Sequence, residues 1–315
     1  MVMLEGVLLM QRLISDPVSM SSCRQKTYLL RLRRQFPFVY VKPLTQTAFG
    51  RTVWALQLGA GSRKLLVTAG HHANETITSD ALWQWLFSFC AAVRDGALIG
   101  GSDARQLYRS AMVYLVPLVN PDGADLTAGL CAPESPEYRA AAAIAAQYPA
   151  VPFPSGWKAN LCGVDLNLNY PARWEIARQI KKEQGVFGPA PRDFVGFSPL
   201  DQPETAALAA FSRCVHPDLM LALHTQGSVI YPGPAETAPP GAQALAQTLA
   251  AASGYPVAAV PPESANAGFK DWFLQVFKRP AFTIEAGLGQ NPLPMSQLPE
   301  LVRMLERLLT AAMTA

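Results

Sequence analysis

Four short apolar runs in this chain each end on a polar side chain capable of chemistry. Residues 64–69 lead into Gly70-His71-His72, 112–119 into Asn120, 219–223 into His224, and 281–284 into Glu285. Such runs, continuous rather than alternating, are what strands buried on both faces look like. Longer segments with helical spacing lie between them. Leu82, Trp85, Leu86, Phe89, Cys90 and Val93 form one apolar face, and Asp95-Gly96 ends that helix. Residues 205–214, 242–252, 271–277 and 298–313 also read as helices, with Pro299 tolerated in a first turn. Near the N-terminus, 28–36 reads as a surface helix and 38–41 and 53–58 as strands. Residues 126–158 read as irregular around an Ala-rich helix, and Asn120-Pro121-Asp122-Gly123 as a turn. Strands alternating with helices predict an α/β fold, with a mixed, mostly parallel sheet covered on both faces. In open sheets of this kind, ligands sit beyond the carboxyl ends of the strands. The four strand ends therefore deliver their polar groups to one edge.

Length and composition limit what this edge can serve. The chain has 315 residues, half of them apolar and 16% charged, which suits one globular domain. We expect a catalytic domain over 26–315 and an N-terminal extension over 1–25. The opening MVMLEGVLLMQRLI is broken by Glu5 and Arg12 and lacks a basic leader and a small-residue cleavage site. It reads as a helix or loose extension rather than a signal peptide, so a cytoplasmic protein is expected. No run reaches the length of a membrane span. A net charge of +3, without basic runs interleaved with aromatics, gives no nucleic-acid surface. The five scattered cysteines read as reduced, mostly buried thiols, with Cys131 and Cys162 the one pairing left open. Nothing in the sequence sets the oligomeric state.

Only four histidines are present, and two fall in Gly70-His71-His72-Ala73-Asn74-Glu75. On a turn leading into a helix, His72 and Glu75, three apart, can face one point. His71 competes for the same place but lacks that spacing. His-x-x-Glu alone is a weak signal, since a capping His and a solvated Glu give the same pattern. A third candidate ligand, His224, ends a strand. A hydrolytic zinc site needs three protein ligands and an open position, and nitrogen with carboxylate ligation suits zinc. His216 precedes a proline and reads as structural. Glu285 closes an apolar strand, where a carboxylate is costly unless it is paired or used. A buried ion pair would account for it, but a catalytic base is favoured because the constellation otherwise has none.

The ordered series His72-Ala-Asn-Glu75, Asn120-Pro-Asp-Gly123, Gly163-Val-Asp-Leu-Asn-x-Asn-Tyr-Pro171, His224 and Phe282-Thr-Ile-Glu285 resembles the zinc carboxypeptidases over about residues 40 to 310. That resemblance implies a three-layer α/β sandwich with a mixed eight-stranded sheet. It also implies one zinc ion on His72, Glu75 and His224, and Glu285 as base. The same ligand set serves carboxypeptidase A.

The chain also departs from the digestive members of that family. Their Asn-Arg-Asn, whose arginine clamps the substrate carboxylate, is Asn167-Leu168-Asn169 here, and leucine cannot pair with a carboxylate. Their carbonyl-polarising arginine is matched by Lys158, which can still hold an oxyanion as a point charge. Glu263 stands where they have a tyrosine, and Lys270 occupies the side-chain pocket position before Asp271-Trp272. Arg173 and Arg192 are candidates for the missing clamp.

Trp157-Lys-Ala-Asn160, Tyr170-Pro-Ala-x-Trp174, Phe269-Lys-Asp-Trp272 and Glu285-Ala-Gly-Leu-Gly-x-Asn-Pro292 are similar to the γ-D-glutamyl-L-diamino acid endopeptidase branch. The resemblance implies a small peptidoglycan-derived peptide, a muropeptide, as partner. Asn167, Lys270, Arg173 and Glu263 would bind it. Two other readings remain open: an N-acyl amino acid amidohydrolase similar to the aspartoacylases, and a non-catalytic muropeptide-binding protein.

Overall fold

The computed structural model describes residues 19–233, 238–261 and 266–315. Its strands are β1 (Tyr40–Gln46), β2 (Thr52–Gly59), β3 (Arg63–Ala69), β4 (Leu98–Ile99), β5 (Ser102–Asp103), β6 (Ala111–Val116), β7 (Leu219–His224), β8 (Val229–Tyr231) and β9 (Ala281–Glu285). All but the small β4–β5 hairpin belong to one sheet, ordered β1-β2-β6-β3-β7-β9-β8. The four central strands, β6, β3, β7 and β9, run parallel, and β1, β2 and β8 pair antiparallel at the flanks.

Among the described residues this sheet has seven strands, where the family resemblance implied eight. Beyond β8, Ile230 and Val257 make a single parallel bridge, flanked by Ile230 N–H to Pro256 O at 2.9 Å and Ala258 N–H to Ile230 O at 3.0 Å. Pro256 and Pro261 have no N–H with which to extend a ladder.

The helices are α1 (Ser22–Gln35), α2 (Ile77–Asp95), α3 (Ala104–Ser110), α4 (Pro121–Thr127), α5 (Pro136–Ala145), α6 (Trp174–Glu183), α7 (Pro203–Val215), α8 (Ala242–Ser253), α9 (Phe269–Phe277) and α10 (Leu298–Thr314). Side chains alternate across each strand, so the sheet has two buried faces. Leu65, Val67, Leu219, Leu221, Phe282 and Ile284 pack with residues of α1, α2, α8 and α10. Leu66, Met220, Ala222 and Ala281 pack with α7 and α9. The second alternation continues to His224 on β7 and Glu285 on β9. These two are register partners in the parallel pair, so they emerge side by side at the same strand ends.

Two helices differ from the sequence expectation. Helix α2 is buried nearly all round, Trp83 and Phe87 included. Its second face is covered by α1, whose Tyr28 ring meets Trp83 at 5.5 Å and Phe87 at 5.6 Å. Helix α1 is a surface helix, as expected, whose inner face of Gln25, Tyr28, Leu29 and Leu32 is buried. Each large apolar side chain so covered contributes about 1.5–3 kcal/mol. The Asn120-Pro121-Asp122-Gly123 turn is the start of α4. Asn120 Oδ1 accepts from Gly123 N–H at 2.9 Å as the N-cap, and proline is tolerated in the first turn.

The N-terminal boundary also shifts. Met20 N–H donates to Asp80 Oδ2 at 2.9 Å, and Ser22 N–H and Oγ–H donate to the Asp125 carboxylate at 2.7 and 2.6 Å. The packed body thus includes residues expected in the extension. Cys23 and Cys214 are exposed rather than buried, and all five thiols are free. No helix among the described residues is long and apolar enough to cross a membrane.

The Asp80 anchor carries a pH dependence. Burial pushes its carboxyl up to about 7, against the opposing pull of Arg24 and the Met20 amide. An unfolded aspartate titrates near about 4, so between these values the folded chain holds a proton that the unfolded chain has lost. This contribution to stability is present at low pH and is lost as pH rises through the folded value. Asp80→Asn keeps an acceptor for Met20 N–H without the charge. It is expected to gain stability relative to the parent between about pH 5 and about pH 8, read from denaturant midpoints. A pH-independent difference would contradict this account of Asp80.

Candidate active site

The chain leaves β3 through Gly70, at φ +65°. A Cβ there would lie 2.7 Å from Ser79 Oγ and 2.8 Å from Leu118 Cδ1, so glycine is required both for conformation and for space. His71 then turns inward. It is fully buried, with Nε2 3.3 Å from Tyr170 Oη and its ring stacked on His224. His72 turns the other way, to the strand ends, so the competition between the two falls to His72. Asn120 is also turned inward: its Nδ2 donates to His71 O and Ala159 O, holding the loop.

Three side chains converge at this edge. His72 Nδ1 lies 2.9 Å from Glu75 Oε1, and His224 Nδ1 lies 3.1 Å from Glu75 Oε2. The two Nδ1 atoms are 3.3 Å apart, and one potential ligand atom from each residue falls within 4.8 Å of the others. On the far side of the His72 ring, Asp165 Oδ1 is 3.2 Å from Nε2. A carboxylate there accepts a hydrogen bond from Nε2–H, so that a neutral His72 turns its Nδ1 lone pair to the cluster. Two imidazole nitrogens and a carboxylate aimed at one point form a donor set for a cation, and the set suits zinc.

Glu75 is 1% exposed and has further partners. Lys158 Nζ–H donates to Oε1 at 3.0 Å, Asn291 Nδ2–H to Oε1 at 3.3 Å, and Thr225 N–H to Oε2 at 3.1 Å. Burial opposes the Glu75 charge, but His72 and Lys158 outweigh it and hold the carboxyl well below its usual range. Burial likewise pulls His72 down, yet Glu75 and Asp165 carry it up to about 9. For His224 burial wins, and its pKa is lowered. Burial, and after it the Glu75 charge, pushes Glu285 up to about 8.

These groups open into a cleft of about 360 Å³. Of the residues expected from sequence, His72, Lys158, Asn167, His224, Lys270 and Glu285 line it, and Glu75 lies just behind. Arg173 does not. It is exposed, at φ 54° on the N-cap of α6, and the buried Trp174 beside it anchors that turn through Nε1–H to Val195 O at 3.0 Å. Two turns later the same helix brings Lys181 to the cleft instead. Glu263 lies outside the described residues.

Sequence reasoning did not assign Asp165, Lys181, Asp193, Asp271 or Asn291, all of which line the cleft. Asp165 and Asn291 sit inside the quoted motifs, which was the available signal. Lys181 and Asp193 carried none, because only the chain path pairs them, at 2.7 Å.

Residues 26–305 match the zinc carboxypeptidase family, and the chain belongs to it. It is 38% identical over 269 residues to γ-D-glutamyl-L-diamino acid endopeptidase 1 of Lysinibacillus sphaericus. The aligned region covers 85% of this chain and 65% of that relative, just under two thirds of its length. Among solved structures, thrombin-activatable fibrinolysis inhibitor shares the fold at TM-score 0.72 and 17% identity, over 94% of this chain and 76% of that one. Murein-tripeptide amidase MpaA of Escherichia coli O157 does so at TM-score 0.56 and 20% identity, over 86% and 91%.

The Asp165 contact gives a direct test of the donor geometry. Removing a carboxylate that orients a ligating histidine typically weakens metal binding about 10–100-fold. Asp165→Ala is expected to fall in that range for zinc in competition with a chromophoric chelator. Unchanged affinity would mean that Asp165 does not orient His72 for a metal.

Proposed function

We propose that the chain is a zinc metallopeptidase that hydrolyses an amide bond in peptidoglycan-derived peptides, the γ-D-glutamyl–meso-diaminopimelate bond first among them. The observation that carries this is the convergence of His72 Nδ1, Glu75 and His224 Nδ1 in the same cleft as Glu285. Membership of the zinc carboxypeptidase family supports the chemistry, and the 38% identity to an endopeptidase named for γ-D-glutamyl-diamino acids supports the substrate. In this reading His72, Glu75 and His224 hold one zinc ion. When bound, the metal supplies a water of lowered pKa and polarises the scissile carbonyl.

The chain's own residues do the rest. Glu285 takes the proton of the attacking water and returns it to the leaving amine nitrogen. Lys158, held at 3.0 Å from Glu75, presents a fixed positive charge to the developing oxyanion. Asn167 and Lys270 contact the substrate from the cleft wall.

Arg192 takes the carboxylate-binding part that sequence offered to either arginine. It lines the cleft, and its Nε–H donates to Asp193 Oδ2 at 3.1 Å. Pro191 O fixes its loop by accepting from Lys158 N–H at 2.8 Å and Ala159 N–H at 2.9 Å. Five free thiols fit a reducing compartment such as the cytoplasm, the location we propose.

Glu285→Gln is expected to keep its zinc, measured by metal analysis, while kcat falls about 100- to 10,000-fold. Near-parental turnover would remove Glu285 from the mechanism. Mass spectrometry of a muropeptide mixture should show γ-D-glutamyl–diaminopimelate cleavage by the zinc-loaded protein and none after chelation. Cleavage of N-acyl amino acids in preference to these peptides would favour the amidohydrolase reading. A purified protein holding under roughly a tenth of an equivalent of zinc would favour the binding protein.

A further inference from the structure

One wall of the cleft holds a second pair of charges that the hydrolytic steps do not use. Lys270 and Asp271 open helix α9, and both line the cleft. Lys270 is 5% exposed, and the Asp271 side chain 11%. Nζ and Oδ1 are 2.9 Å apart, close enough for an ion pair, but their geometry is not that of a hydrogen bond. Neither atom has any hydrogen-bond partner among the described residues.

This is an expensive arrangement for structure alone. Neighbouring side chains on a helix do not face each other, yet here both reach the same wall. Buried charges that lack hydrogen bonds destabilise a fold, and an apolar pair of similar size would serve packing better.

The backbone around them has been kept bare. A Cβ on Gly268 would lie 2.9 Å from Asp271 Oδ2. One on Gly233 would lie 2.5 Å from Leu274 Cδ1 and 3.5 Å from Lys270 Nζ. The two glycines thus lie directly against these side chains, where a larger residue would crowd them.

We propose that Lys270 and Asp271 together form a zwitterion-reading subsite. Lys270 Nζ donates to a carboxylate, and Asp271 Oδ1 accepts from an ammonium, both carried on one carbon at the far end of the substrate's side chain. This deepens the function proposed above and rests on it for the substrate class, a diamino dicarboxylic acid on the leaving-group side. A ligand bearing both charges exchanges the strained pair for two charge-assisted hydrogen bonds. A ligand lacking either charge leaves one protein charge buried without a partner. Asp271 is thereby a specificity residue equal in weight to Lys270.

The test reads binding, so it does not depend on turnover. Calorimetry would compare meso-diaminopimelate with L-lysine, which lacks the distal carboxylate, and with L-2-aminopimelate, which lacks the distal ammonium. Each truncated ligand is expected to bind about 10- to 100-fold more weakly than meso-diaminopimelate, the scale of one hydrogen bond to a charge. Asp271→Asn should abolish the penalty for the missing ammonium, and Lys270→Met the penalty for the missing carboxylate. Because either single change strands a charge, the double variant Lys270→Met/Asp271→Asn is measured too. It should bind all three ligands with similar, weak affinity. Equal affinity of the parent protein for all three ligands, or penalties unchanged in the double variant, would overturn the proposal. The same proteins are assayed for hydrolysis. The expected ligand pattern without cleavage by the zinc-loaded parent would retain the subsite and sink the peptidase. Cleavage without the pattern would do the reverse.

Discussion

The carboxylate of Glu75 is the point on which the active edge depends. It is almost wholly buried and receives Lys158, Asn291, the Thr225 amide and both cluster histidines. A carboxylate so placed would be strongly destabilising without compensation. The compensating groups come from four places in the chain: the loop after β3, the 158 loop, the end of β7 and the loop after β9. Each of those loops is thereby fixed relative to the others. Arg192 and Asp193 follow, since Pro191 O holds the Lys158 and Ala159 amides and Asp193 N–H reaches Asp165 Oδ2 at 3.3 Å.

The sheet makes this convergence possible. β3, β7 and β9 run parallel and adjacent, so their carboxyl ends open at one edge. The register that sets His224 opposite Glu285 also puts both on the face away from α2. A slip of one residue would bring Ile284 opposite His224 and turn Glu285 into a different environment. In the function proposed, the hydrolytic groups His224 and Glu285 sit on rigid strand ends, whereas Lys270 and Asp271 line the cleft from the first turn of α9. In that reading, bond cleavage and substrate choice rest on different elements.

Much of this was legible in the sequence. Buried strands are short and apolar because both faces are covered, and a polar residue stopping such a run is conspicuous. That is why β3, β7, β9 and the residues after them were readable. Helix α2 was readable as a helix, but its full burial was not, because the sequence of α1 looks amphipathic and only its packing showed Tyr28 against Trp83. Among the described residues, the eighth strand implied by family likeness is reduced to the Ile230–Val257 bridge, beside prolines 256 and 261 that cannot donate to a ladder. Arg173 and Arg192 looked equivalent as isolated arginines beside prolines and aromatics. Trp174 anchors one turn away from the cleft, and Pro191 ties the other to it.

The sequence by itself determined the chemical repertoire: His72 and Glu75 at helical spacing, His224 and Glu285 at strand ends, and a leucine where a clamp arginine would stand. Local spacing suffices for these because side chains three apart on a turn, or the last residue of a strand, have their direction set by backbone geometry. The tertiary structure alone decided that His71 turns inward to Tyr170, that Asp165 sits behind His72, and that Lys181, Arg192 and Asp193 share a wall. Those contacts join residues distant along the chain, and their distances follow from how sheet and loops pack, which no local pattern encodes.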